Sequence, residues 1–225
     1  MKFVEPEVTL VASTFIRPEV ERFMSLDSEC SDAEALTEFA GRSCYQSFGK
    51  PNPATARNAD YLRRTLFEQG HMSIAEHASA TLYFEGVSRA FTHELIRHRH
   101  LSYSQVSQRF VNESNSAVVV PPAIAEHGGE EFVKEFGADA ASVYGHLVDY
   151  LGNAGLSRKQ AREAARGVLP NMTETRIVVT GNLRAWHEVI ERRTAPDADA
   201  EMRKVMGMAK EVLEPVAPAI FGGDV

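Results

Sequence analysis

Cysteine is scarce in this sequence: Cys30 and Cys44 are the only two among 225 residues. So far apart, they form neither a metal-binding pair nor a disulfide framework, and the simplest reading is two free, partly buried thiols. An apolar run of signal length is also missing from the N-terminal stretch MKFVEPEVTLVASTF, which Glu5 and Glu7 interrupt, so a secretory leader is not expected. No window reaches the roughly 18 apolar residues of a membrane span. A cytoplasmic protein without a membrane partner is therefore expected. Linkers, low-complexity runs and internal repeats are absent too, which leaves residues 1–225 as one expected domain. Nor is there a basic excess: 24 Lys and Arg stand against 31 Asp and Glu, a formal net charge of −7. That balance argues against a general nucleic-acid coat.

What is present is 44% hydrophobic residues, enough to bury one substantial core. Glu7–Ser13 reads as an early strand, and a Pro-bearing loop then leads to a helix capped by Ser31 or Asp32 and carrying Leu36 and Phe39. A second helix over about 58–69 places Leu62, Leu66 and Phe67 on one side and stops at Gly70. HMSIAEH (71–77) reads as a loop or short turn, ATLYFEG as a strand and SRAFTHELIR as a helix. Gln105–Val111 alternates loosely and is expected to be a strand. The apolar stretch 117–120 ends at Pro121 and Pro122. Helices follow over 130–151 and from Ser157, whose spacing to Gln160 is that of a capping box. TETRIVVTGN is the clearest strand; Asn182 then caps LRAWHEVIERR, and a last amphipathic helix runs over about 199–213. Strands and helices alternate without a regular βαβ repeat. The expected fold is therefore α+β, a central mainly antiparallel or mixed sheet flanked by helices.

Against the acidic background stands RHRHLSYSQVSQR (97–109), with no acid from Leu95 through Asn112. Arginine offers a planar fork of donors that stays charged and matches phosphate, and serine and glutamine add neutral donors suited to a base or sugar edge. The stretch is either a basic turn paired with acids from elsewhere in the fold or a site for a small polyanion. HELIRH resembles a zinc helix only superficially. Its histidines, His93 and His98, are five apart, and at about 100° per residue they diverge by about 140°, whereas the true motif separates them by about 40°. A metal-dependent hydrolase built on the histidines is one rival reading, and a nucleotide- or RNA-binding module on the basic turn is another.

Three further features bear on the site. Arg158, Arg162 and Arg166 recur at i+4 as a stripe of like charge, partly offset by Glu163. In the helix after Asn182, Arg193 shares a face with Trp186, Val189 and Ile190, where a cation must be paired, snorkelling or functional, and its place near the C-terminus suits the helix dipole. His71, Ser73 and His77 form a histidine-bearing loop of the kind that is commonly only a hydrogen-bonded corner.

These pieces together resemble the flavin-dependent thymidylate synthases. The signature is Arg97-His98-Arg99 continued through Ser107 and Arg109. HMSIAEHA is similar to the family's His-x-Ser loop, EFAGRSCYQS to its N-terminal helix, QAREAARGVLP to its downstream arginine segment and TETRIVVTGNLRAW to its flavin-contacting turn. The likeness covers about residues 35–195. It implies conversion of dUMP to dTMP with methylenetetrahydrofolate as one-carbon donor, FAD as redox cofactor and NADPH as reductant, without a cysteine nucleophile or a metal. It also implies a homotetramer whose active sites form between subunits.

Carried over by position, the nucleotide site comprises Glu94, Leu95, Ile96, Arg97, Gln105, Val106, Ser107, Gln108, Arg109, Arg166 and Arg193. The FAD site comprises Ser73, Arg97, His98, Arg99, Gln105, Asn182, Leu183, Arg184 and Glu188, and His71 stands at the folate entrance. Arg193 is the implied catalytic residue. Two positions depart from the family pattern. Gln105 stands where many relatives carry Glu, and Glu188, where His or Asn is common, has His187 beside it as the substitute.

Overall fold

The computed structural model describes residues 2–19, 30–48 and 52–222. The Pro-bearing loop expected after the first strand falls largely on residues 20–29, outside the described residues.

Four strands form one antiparallel sheet in the order β1-β2-β4-β3: β1 is Glu7–Ser13, β2 Ser79–Ser88, β3 Leu101–Gln105 and β4 Glu174–Asn182. In β2 and β4 the residues alternate between core and periphery. Ala80, Leu82 and Phe84 are buried beside Ile177 and Val179, while Thr81, Tyr83, Val178 and Thr180 face the less covered side. Period-2 alternation of this kind produces a sheet with one packed face.

The expected strand over Gln105–Val111 lies elsewhere. It occupies Leu101–Gln105, pairing Leu101 with Gly181 and Gln105 with Ile177, and residues 107–111 form a turn. The apolar residues that suggested a strand, Phe110 and Val111, are 64% and 47% exposed.

Helices cover the packed face. Helix α1 (Asp32–Tyr45) starts at a capping box of Ser31 and Glu34, and α2 (Asn58–Leu62) continues into a π-helical turn over Arg63–Glu68. The expected helix 58–69 thus widens halfway. Leu62 and Leu66 stay buried, Phe67 meets the His187 ring at 5.3 Å, and Gly70 ends the element with φ at 72°. Short α3 (Arg89–Leu95) begins at Ser88, whose hydroxyl accepts from the Phe91 N–H and donates to the buried Glu201 carboxylate. Next come α4 (Pro122–Glu126), α5 (Glu130–Asn153), α6 (Arg158–Ala165) and α7 (Leu183–Thr194), the last capped by the Asn182 side chain. Helix α8 (Ala200–Leu213) and α9 (Pro218–Phe221) close the core. Trp186 anchors α7 to the sheet by donating its indole N–H to the Ala80 carbonyl at 3.0 Å.

Gly86 interrupts β2 with φ at 64°, and a Cβ there would strike the Glu5 carbonyl. Left-handed backbone costs a residue bearing Cβ about 1–2 kcal/mol before any clash. Gly86→Ala is therefore expected to lower stability by at least that amount, which a shifted urea midpoint at unchanged slope would show.

Candidate active site

Helix α3 delivers the chain to the Arg97–Arg99 turn, and β3 carries it away. The turn is bolted at its base by Tyr103 of β3, whose hydroxyl lies 2.8 Å from the Leu95 carbonyl and 2.7 Å from the His98 carbonyl. Those carbonyls lie at and just beyond the end of α3, where the only backbone amides among the described residues that reach them are those of His98, at 3.1 Å from the Leu95 carbonyl, and Leu101, at 3.4 Å from the His98 carbonyl. Burial pushes the Tyr103 hydroxyl up to about 12, so it remains a donor.

Helix α7 lies alongside. Arg97, His98, Arg99 and His100 share a hollow of about 270 Å³ with Ala185, Glu188 and Arg192. Adjoining it, a hollow of about 240 Å³ is lined by Glu76, His100, Asn182, Arg184 and Glu188. Arg184 is held from both sides, by Glu188 and by Glu76, each at 2.7 Å. Glu76 ends the 3₁₀ turn Met72–Glu76 that carries Ser73. Leu183 is buried below this rim, Ser73 and His71 are exposed, and neither of those two lines either hollow. The guanidinium groups of Arg97 and Arg99 have no acceptor among the described residues.

Arg193 ends α7 and reaches the same turn. Its Nε donates to His98 Nε2 at 2.9 Å, one terminal nitrogen approaches the Glu94 carboxylate at 3.2 Å, and the other reaches the Glu94 carbonyl at 3.4 Å. The cation on the apolar face is therefore paired. His187 points the other way, buried against Phe67, with Nδ1 3.5 Å from Glu191 and Nε2 without a partner. Burial lowers its pKa. The residue of this pair that faces the hollows is Glu188.

A second group sits beyond the other end of β3. Gln105 donates to Thr92 and Thr175, and the Val106 N–H to the Arg176 carbonyl. Ser107 starts the turn by accepting the amides of Phe110 and Val111 at its carbonyl. Gln108 is 6% exposed, and its Nε2 is buried without a partner. Arg109 Nε comes within 2.8 Å of Glu163 but is misaligned for a hydrogen bond. Arg162 donates to the Phe110 carbonyl while its own Nε is buried and unpartnered. Two buried donors without acceptors, Gln108 Nε2 and Arg162 Nε, thus flank one turn beside the ion-paired Arg109, an arrangement that costs free energy until an acceptor-rich partner arrives.

Arg89 belongs to this group although no motif in the sequence marks it. It lies half-buried at the start of α3, close enough to Arg166 and Glu113 for their charges to be felt; burial lowers its pKa, Glu113 opposes that, and Arg166 adds to it. The signal was available. A cation in the first turn of a helix opposes the dipole, which calls for an anion nearby.

The five residues of β3 span about 16 Å, so one chain holds the Arg97–Arg99 turn and the 107–109 turn apart. The described residues contain no group of three or more His, Cys, Asp or Glu side chains able to hold a metal, and no helix among them is long and apolar enough to cross a membrane. Neither cysteine forms a disulfide, and Cys44 is exposed rather than partly buried.

Residues 25–219 match the family model described as thymidylate synthase complementing protein. A flavin-dependent thymidylate synthase from Mycobacteroides abscessus is 49% identical over 98% of this chain and 90% of that protein. The chain belongs to the flavin-dependent thymidylate synthase family. Another member, from Mycobacterium tuberculosis, is 52% identical over 86% of this chain and 80% of its own length. Two structures of the Helicobacter pylori thymidylate synthase X, solved with FAD and dUMP, superpose with TM-scores of 0.66 and 0.68. They cover 97% and 95% of this chain, and 100% and 99% of their own, at 18% and 19% identity. The α+β fold expected from the sequence is thus the fold of a flavin-dependent thymidylate synthase.

Proposed function

We propose that the chain catalyses the reductive methylation of dUMP to dTMP, with FAD as the redox cofactor, methylenetetrahydrofolate as the one-carbon donor and NADPH as the reductant. The observation that carries this reading is the pair of donor-rich, acceptor-poor turns at the two ends of β3, in a chain of this family. One turn has free arginines over a hollow, and the other has buried donors without acceptors.

FAD fits the first. Arg97 and Arg99 supply cations for a pyrophosphate, and His98, His100, Asn182 and Arg184 line the adjoining hollows, with Leu183 buried beneath them and Ser73 exposed on the 3₁₀ turn that ends at Glu76. When bound there, reduced flavin supplies the hydride that completes the methyl group.

The nucleotide fits the second. Arg109, Arg166 and Arg89 offer charge-assisted hydrogen bonds to a phosphate, and Ser107, Gln108 and Val106 add neutral donors. Glu94, Leu95, Ile96 and Gln105 place the end of α3 and the end of β3 against the base. Arg193 is the catalytic residue. Carbon–carbon bond formation at C5 of uracil spreads negative charge over the ring, and a fixed guanidinium beside it stabilises that charge without giving up a proton. His71 lies at the approach used by the folate.

Because β3 holds the two turns apart within one chain, the complete site requires a second copy, consistent with a cytoplasmic homotetramer of single-domain subunits. The deciding assay follows NADPH oxidation with dUMP and methylenetetrahydrofolate and scores dTMP directly. Yellow protein forming dTMP is expected. Colourless protein carrying stoichiometric zinc would instead support a hydrolase, and flavin-free protein binding RNA with a steep salt dependence would support a binding module.

A further inference from the structure

Arginine has donors and no acceptor. The 2.9 Å contact between Arg193 Nε and His98 Nε2 therefore fixes what the imidazole must be: Nε2 is the acceptor, and the ring proton of the neutral form resides on Nδ1. We propose that His98 is the positioning residue for Arg193, its neutral imidazole holding Nε while Glu94 holds the two terminal nitrogens, so that the guanidinium is aimed before substrate arrives. This deepens the functional reading above and rests on it for its consequence in turnover.

The aim is held at each step. Tyr103 bonds the His98 carbonyl, which fixes the backbone that carries the ring. The groups facing His98 are Arg192 and Arg193 from α7 and Glu94 from α3, and the hollow it lines also carries Arg97, Arg99, His100 and Glu188. Burial lowers the His98 pKa, the two arginines of α7 lower it further, and Glu94 opposes them. The neutral acceptor is thus the resident form at neutral pH. Acidification would place a proton on Nε2, remove the acceptor and set a second cation against Arg193.

The first test needs no turnover. Nitrogen NMR of the flavin-loaded protein should show His98 protonated on Nδ1 and bare on Nε2 at pH 7, titrating below its ordinary value near 6.5. In Arg193→Ala the titration should move upward, since a facing cation is gone. A proton on Nε2 at pH 7, or a titration unmoved by Arg193→Ala, overturns the proposal.

Turnover supplies the second test. His98→Ala removes one side chain of the FAD hollows and leaves Arg97, Arg99 and Arg184 in place. At saturating flavin it should therefore hold FAD and lose kcat on the order of 10- to 100-fold, as misaimed catalytic groups do, with the KM for dUMP changed less. His98→Gln keeps an acceptor oxygen within reach of Nε, so it should restore most of the turnover and abolish the acid limb expected of the wild type below about pH 6.5. An acid limb that persists in His98→Gln, or full turnover in flavin-loaded His98→Ala, would refute the role. Loss of FAD from both variants would assign His98 to the flavin instead. A wild-type protein that makes no dTMP would sink the functional reading and leave the NMR outcome standing on its own.

Discussion

Arg193→Ala is expected to keep its fold and its flavin and to lose turnover by on the order of 100-fold or more, the scale seen when one fixed donor to a developing anion is removed. The fold should survive because the ion pair that the substitution removes is partly exposed. Arg193 is 18% and Glu94 42% exposed at the side chain, so the carboxylate left behind can turn to water and no buried charge is stranded. Flavin should survive because the arginines lining the hollows, Arg97, Arg99, Arg184 and Arg192, are untouched. The loss belongs in kcat, since the charge that Arg193 meets develops only as the C5 bond forms. Arg193→Lys keeps the cation but lacks the fork that engages His98 and Glu94 together, so it should recover little. Flavin content by absorbance and single-turnover dTMP formation separate these effects, and near-normal turnover in the alanine variant would remove Arg193 from the chemistry.

Much of the fold was legible because its signals are local. Alternation in β2 and β4, the Ser157–Gln160 box and the Asn182 cap each depend on residues within a few positions of one another. β3 was misplaced because apolar Val106, Phe110 and Val111 outweighed LSYSQ in the sequence, although the latter alternates correctly with Leu101 and Tyr103 inward. Phe110 and Val111 instead lie on the surface beside α6, where Lys159 stands over the Phe110 ring.

The site was legible as residue types and not as partners. The acid-free run from Leu95 to Asn112 suggested unneutralised charge, yet Glu94, one residue before it, and Glu163, far along the chain, both return to face it. The contact between His98 and Arg193 joins residues 95 apart, and no local pattern encodes that. The orphaned donors of Gln108 and Arg162 emerge only from packing. Arg193 stood out as a cation that must be paired, because a helical face can be counted from the sequence; which groups pair it could not be.

The nucleotide end carries the other large effect. Arg109→Ala is expected to weaken dUMP binding by about 1.5–3 kcal/mol, as loss of a charge-assisted hydrogen bond does, or roughly 10- to 150-fold in dissociation constant. The structure refines that expectation through Glu163, which sits 2.8 Å from Arg109 Nε without the alignment of a hydrogen bond. The carboxylate holds the guanidinium near the turn but competes with an arriving phosphate for it. Glu163→Gln should therefore move in the opposite direction and bind dUMP more tightly, because the neutral amide competes less for the guanidinium while it still limits the arginine's freedom. Combined with Arg109→Ala, the glutamine substitution should lose most of its benefit, since the two side chains share one contact and their effects cannot be additive. Calorimetric titration of the flavin-loaded protein with dUMP measures all three. Equal affinity in wild type and Arg109→Ala would take the phosphate away from this turn and leave Arg89 and Arg166 to bind it.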